Sequence, residues 1–201
     1  RLGIEIRSAT DAGGFASPNS CVAIWVKIMR VNSIISPVPV EVECDGYIPL
    51  VVRFGGYKGP TVFLPKYWRT GDFKHTLIEI GVNPSSGAIC KIVFTALNLL
   101  QSKFILTNEG VTKSGVPCAS LDQWDNYTER VDVKNDVIGS LANRELTVIF
   151  CNLLPRNLEK IQCERIIFLI DHNTDLCGIQ IMGLSDQEFE NIRNSTSLMT
   201  I

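Results

Sequence analysis

The chain reads as an α+β fold, predominantly antiparallel β-sheet with a few short helices. Three observations predict it. Most apolar runs are short, rich in Val and Ile, and bounded by Gly, Pro, Asn or Asp, which is a strand pattern. Two hairpins can be read directly from sequence, each a strand, a polar turn opening on Asn or Asp, and a second strand. Helical signals are confined to two short stretches near the end.

Taken in order, strands are expected over Cys21 to Met29, Val38 to Glu43, Tyr47 to Arg53, Leu77 to Val82 and Ala88 to Ala96. Later ones are expected over Leu146 to Asn152, Arg165 to Ile170 and Gly178 to Met182. The first hairpin turns through Asn83-Pro84-Ser85-Ser86-Gly87, the second through Asp171-His172-Asn173-Thr174-Asp175. Asn and Asp suit these places because their side chains bond the nearby backbone and tolerate left-handed dihedrals. The likeness is what a duplicated fold of two related halves would give, and also what any two hairpins would give. Ser185 with Glu188 makes a capping box, which predicts a helix from Asp186 to about Asn194. Pro155 suggests a second helix over Leu158 to Cys163.

The 201 residues fit one domain, 1–201, with sub-halves 1–105 and 127–201 joined by the polar, turn-rich stretch from Phe104 to Asn126. Seven cysteines are scattered without a CxxC, most within apolar runs, so they read as reduced, buried residues of a cytoplasmic protein. No run is long and apolar enough for a membrane-spanning helix, and the opening residues do not read as a signal peptide.

Catalytic signatures are sparse. Of the two histidines, His172 sits in a hairpin turn and His75 at a strand entrance, and no zinc spacing, Walker loop or GxSxG motif is present. No metal, cofactor or enzyme activity is therefore expected. An enzyme reading would need a pocket lined by Asp72, His75 or His172 with a strongly perturbed carboxylate. The stretch 53–75 mixes Arg53, Lys58, Lys66, Arg69 and Lys74 with Phe54, Tyr57, Phe63, Tyr67, Trp68 and Phe73. Cations neutralise phosphates and rings stack on bases, so this mixture is the alternative reading, a single-stranded nucleic-acid interface. Against it stands a strand whose rings turn inward.

Charge is uneven. Residues 1–121 carry 12 Lys and Arg against 8 Asp and Glu, whereas residues 122–201 carry 7 against 13. The acidic half supplies the candidate docking residues Asp122, Asp125, Glu129, Asp171, Asp175, Asp186, Glu188 and Glu190. An acidic face speeds association with a basic protein and rejects wrong partners.

The hairpin Leu77-Ile78-Glu79-Ile80-Gly81-Val82-Asn83-Pro84-Ser85-Ser86-Gly87-Ala88-Ile89 resembles a pattern found in immunity proteins of bacterial polymorphic toxins, including contact-dependent growth inhibition systems. The stretch from Asp171 to Glu190 has a similar character. Together they cover about a fifth of the chain. The resemblance implies a cytosolic, non-enzymatic protein that binds one cognate toxin domain, often a nuclease, and covers its active site. It carries over no site residues. Because nucleases have basic clefts for a polyanion, such an inhibitor gains from clustered Asp and Glu.

Overall fold

The computed structural model describes residues 28–44, 48–59, 62–100, 112–125, 128–150 and 158–198. Two mixed sheets dominate. The first contains β2 (Val40–Glu43), β3 (Leu50–Phe54), β4 (Lys66–Gly71), β5 (Leu77–Val82), β6 (Ile89–Ala96) and β10 (Arg130–Lys134). The second contains β7 (Asn98–Leu100), β8 (Thr112–Ser114), β11 (Ile138–Ala142), β12 (Glu145–Ile149), β13 (Glu159–Cys163), β14 (Ile166–Ile170), β15 (Leu176–Ile181) and β16 (Ser197–Leu198). A separate ribbon pairs β1 (Val31–Ile35) with β9 (Val116–Ala119). One α-helix, α1 (Asp186–Ser195), and a 3-10 turn at Leu121–Gln123 complete the described elements. The fold is thus α+β and mostly antiparallel sheet. Pairings β10–β4, β11–β7, β13–β8 and β16–β7 are parallel.

Alternation makes the core. Leu50, Val52 and Phe54 on β3, Ile78, Ile80 and Val82 on β5, and Ile92 and Phe94 on β6 all point inward and are buried. Leu146, Val148, Ile161, Cys163, Ile166, Phe168, Ile179 and Ile181 of the second sheet join the same cluster. The sheets meet through Phe54 against Phe168, centroids 5.8 Å apart, and Trp68 against Phe150 at 6.0 Å. A smaller cluster of Ile149, Leu158, Ile167, Leu169 and Cys177 lies on the other face of the second sheet. Strands β14 and β15 are consequently buried along both faces.

The two large sheets share a strand order. In the first sheet the order runs β10-β4-β5-β6-β3-β2, and in the second β8-β13-β14-β15-β12-β11 before β7 and β16 are added. Each unit is a hairpin (β2–β3, β11–β12) followed by a three-strand meander whose last strand returns to pair with the hairpin's second strand. Each meander also takes one parallel strand on its outer edge, β10 on β4 and β8 on β13. Strands are traded across the segment 105–127, since β10 follows it in sequence and closes the first sheet.

Both hairpin turns form as their sequence suggests. The Asn83 side-chain oxygen accepts from the backbone N–H of Ser85 and Ser86, and that of Asp171 accepts from Asn173 and Asp175. The ribbon ties the two tips together. Val31 and Thr174 are hydrogen-bonded, as are Ala119 and Gly87. The close approach at Gly87 leaves no room for a side chain, because a Cβ would lie 2.3 Å from the Ala119 carbonyl.

The C-terminal helix begins at its predicted capping box. The helix expected over Leu158 to Cys163 is instead β13. Its Ile161 and Cys163 alternate inward with Gln162 outward, and antiparallel pairing with β14 outweighs the proline cue. The stretches Lys66–Gly71 and Arg130–Lys134, which carried no strand expectation, are β4 and β10. The strand expected over Cys21 to Met29 lies outside the described residues, except for Ile28 and Met29. No helix among the described residues is long and apolar enough to cross a membrane. The five described cysteines, Cys44, Cys90, Cys118, Cys163 and Cys177, form no disulfide with one another.

Candidate functional site

The eight acidic candidates do not form one face. Asp171 and Asp175 lie at the β14–β15 tip. Helix α1 starts at the opposite end of that hairpin, over the β13–β14 turn, where Met182 bonds Arg165. Five residues of strand separate the two ends, roughly 17 Å at ~3.4 Å per residue.

The helix group is occupied with holding the helix. Glu188 closes the capping box on Ser185 and receives a two-pronged hydrogen bond from Arg165 at 2.6 and 3.0 Å. The Arg165 guanidinium, followed by the cap, holds the Glu188 carboxyl below its usual range. Asp186 pairs with Arg144 at 2.5 Å, and Glu190 with Arg193 at 3.7 Å.

The tip group is different. Asp175 faces Arg30 at 4.0 Å, and the two residues also form a backbone bridge. Arg30 then contacts the 3-10 turn: its N–H donates to Gln123, and its carbonyl accepts from Ser120. Ser120 donates to the Asp122 carboxylate. The Arg30 backbone thereby links the turn of Asp171 and Asp175 to the segment that carries Asp122, while its guanidinium faces Asp175 alone among the three. Burial, and then the neighbouring Asp171, push the Asp175 carboxyl up, against a smaller opposing pull from Arg30. Asp125 and Glu129 lie further along the β4 edge, exposed, and their backbone carbonyls hold Lys66 and Tyr67.

The basic-aromatic segment 53–75 is consumed by the fold. Trp68 is fully buried, Phe54 packs on Phe168, and Tyr57 is buried against Phe63 with ring centroids 5.0 Å apart. Arg53 pairs with Glu43 at 2.5 Å, and Arg69 forks onto Asp132 at 2.7 Å while also reaching Glu79 at 3.6 Å. With Phe54, Tyr57 and Trp68 turned inward and Phe73 the one exposed ring of the six, the segment offers little stacking platform for a single strand.

One cleft was not anticipated as a unit. It has a volume of about 180 Å3 and is lined by Asp72, Thr76, Asn98, Leu99, Asp136, Val137 and Ile138. Three connections build it: the β4–β5 turn, the start of β7 and the β10–β11 link. A hydrogen bond from Asn135 N–H to the Gly71 carbonyl brings the first and third side by side. Gly71 admits no side chain there, since a Cβ would lie 2.1 Å from the Thr76 carbonyl.

Asp72 organises its own turn. One carboxylate oxygen accepts from the N–H groups of Lys74, His75 and Thr76 and from the Thr76 hydroxyl. The Lys74 N–H and then those of Thr76 and His75 hold this carboxyl far below the ordinary aspartate range. The direction matters for chemistry. A general acid or base works best with a pKa near the operating pH, and Asp72 is moved away from neutrality. His75 and His172 are both exposed. Among the described residues no three His, Cys, Asp or Glu side chains converge as a metal site.

Of the cleft residues, Asp72 carried a sequence signal through its place before His75, and Asp136 as one of the acids of the C-terminal half. Asn98 and Ile138 come from distant segments, and nothing local marks them. No family model and no curated protein matches the chain.

Proposed function

We propose that this chain is a non-catalytic binding protein whose partner is a basic protein domain. Its particular role, on this reading, is that of an immunity protein that neutralises a toxin domain, such as a nuclease, by covering its active site. The observation that carries the reading is the sandwich tip, where Asp171 and Asp175 share one turn, Arg30 faces Asp175 at 4.0 Å, and the Arg30 backbone bonds the segment that carries Asp122. Of these three carboxylates only Asp175 faces the guanidinium of Arg30. The cost of partly burying the Asp175 charge would be relieved by a cation brought by a partner. The helix acids are left out of the docking face because their charge is already paired.

The test is whether a gene beside this protein's encodes a toxin domain and whether that domain binds this protein, read by calorimetry at about 50 and 300 mM salt. Wild type is compared with the triple variant Asp122→Asn, Asp171→Asn, Asp175→Asn. Asparagine keeps an acceptor at each turn, so the fold is spared while the charge is removed. The expected result is a tight complex that weakens with salt, and a triple variant that binds more weakly with less salt dependence. A triple variant that binds like wild type would overturn the choice of face, and absence of any complex would overturn the neutralising role.

A further inference from the structure

The first sheet ends in β2 on one side and β10 on the other. An edge strand leaves a row of backbone N–H and C=O groups that another chain can pair with. β2 is guarded against copies of itself. Pro37 and Pro39 precede it, and its exposed side chains, Glu41 and Glu43, carry one sign. A second β2 laid antiparallel about Glu41 or Val42 would set glutamate against glutamate.

β10 has no such guard. The Glu129 carbonyl accepts from the Tyr67 N–H, and the Asn135 N–H donates to the Gly71 carbonyl, so the odd-numbered residues turn their backbone groups toward β4. Arg130, Asp132 and Lys134 therefore turn theirs outward, and their side chains are exposed. Among the described residues no strand pairs with that side of β10. Charge alternates along it, from Arg130 to Asp132 to Lys134 to Asp136, which lies just past the ladder and is also exposed. Arg130, Lys134 and Asp136 enter no ion pair among the described residues. Arg69 holds Asp132, whose side chain nevertheless stays 47% exposed.

This alternation is complementary to its own reverse. Two antiparallel copies of β10 centred on Val133 set Arg130 against Asp136 of the second copy and Asp132 against Lys134 of the second copy, and the two-fold axis repeats both pairs. Centring on Asp132 instead sets Asp132 against itself and Arg130 against Lys134. Centring on Val131 keeps only the pair of Arg130 with Asp132 and its symmetry mate.

We propose that two copies of this chain join edge to edge through β10, antiparallel and centred on Val133, so that the first sheet continues across a two-fold axis. The outward backbone groups of Asp132 and Lys134 bond those of the second copy, and the charge ladder fixes the register. The contact is one short strand, so the dimer is weak and depends on concentration. Such pairing is independent of the Arg30 tip and of toxin binding.

Sedimentation equilibrium of the full chain, from about 10 to 500 µM in low salt, tests this. A monomer–dimer equilibrium is expected, weaker in high salt. Amide exchange at Asp132 and Lys134 should slow as the concentration rises. Lys134→Glu turns two attractive pairs into repulsive ones and should weaken the dimer about ten-fold or more. Arg130→Glu should weaken it too, and adding Asp136→Lys to the same chain should restore it. Both exposed cations are free of ion pairs, so neither single variant should change the melting temperature of the dilute monomer. A monomer over the whole range would overturn the proposal. So would a dimer indifferent to Lys134→Glu, one that Asp136→Lys fails to restore, or one whose exchange slows elsewhere than at β10.

Discussion

Glu188 tests the separation of structural from docking acids most sharply. Its carboxylate closes the capping box of α1 and accepts both prongs of Arg165, with side-chain exposures of 17% for Glu188 and 31% for Arg165. Glu188→Ala removes both roles. A lost cap costs about 1 kcal/mol, and a hydrogen bond to a charged group about 1.5–3 kcal/mol, discounted here because the pair is partly solvated. The sum is about 2–3 kcal/mol. In a chain of this size that lowers the melting temperature by roughly 5–10 °C. Glu188→Gln keeps the cap and one neutral acceptor, so it should lose only about 1 kcal/mol. The pH dependence has a definite sign. The folded-state pKa of Glu188 lies below its unfolded value, so its contribution is fully present above the ordinary glutamate pKa and is lost as pH falls through the lowered one. Urea denaturation of wild type and both variants at pH 7 and at pH 3.5 gives the three differences. The gap between wild type and Glu188→Gln should be constant at neutral pH and narrow on acidification. A gap under about 0.3 kcal/mol at pH 7, or one unchanged in acid, would refute the assignment and return Glu188 to the docking surface.

Other expectations follow from the geometry. Gly71→Ala places a methyl 2.1 Å from the Thr76 carbonyl at a φ of +138°, so it should cost several kcal/mol or prevent expression of folded protein, as read by circular dichroism. Phe168→Ala removes a fully buried ring that meets Phe54 across the sandwich and should cost about 3–5 kcal/mol in denaturant unfolding. Arg69→Met should cost more than a typical surface change, because it strips the cation from Asp132, whose carboxyl Arg69 holds low, and from Glu79. Its loss relative to wild type should shrink below the usual aspartate range, which a pH series of melting curves would read. In a mobility-shift titration at low salt, single-stranded RNA should not be retarded, since Trp68, Phe54 and Tyr57 are buried.

Parts of this fold were legible because local physics and the global fold agree there. The hairpin from Leu77 and the one from Ile166 each combine period-two alternation with an Asx turn, and each formed over the residues read. Helix α1 was written into Ser185 and Glu188 for the same reason. Strand β4 was obscured by its own composition. Lys66-Tyr67-Trp68-Arg69 looks like a binding motif until the alternation sends Trp68 and Thr70 into the core and Arg69 out to Asp132. Strands β7, β8 and β16 are two or three residues long and exist only through parallel pairing with distant partners, which no local pattern encodes. The candidate site divides likewise. Charge counting found the acids but could not tell Asp171 at the tip from Glu188 in its clamp. That distinction depends on which arginine the fold delivers to each.

The trade of strands between the two halves of the chain has a consequence for how the molecule comes into being. A chain emerging from the ribosome has β2 to β6 in hand by Ala96, yet the outer edge of β4 waits for Arg130–Lys134. Until then a row of backbone groups stands unpaired beside Trp68, open to the wrong neighbour. The fold therefore behaves as a clasp rather than as two beads: each half has its own meander, but the first is fastened only when the second has begun. Because β10 belongs to the later part of the chain, the first sheet is complete only once that part is in place.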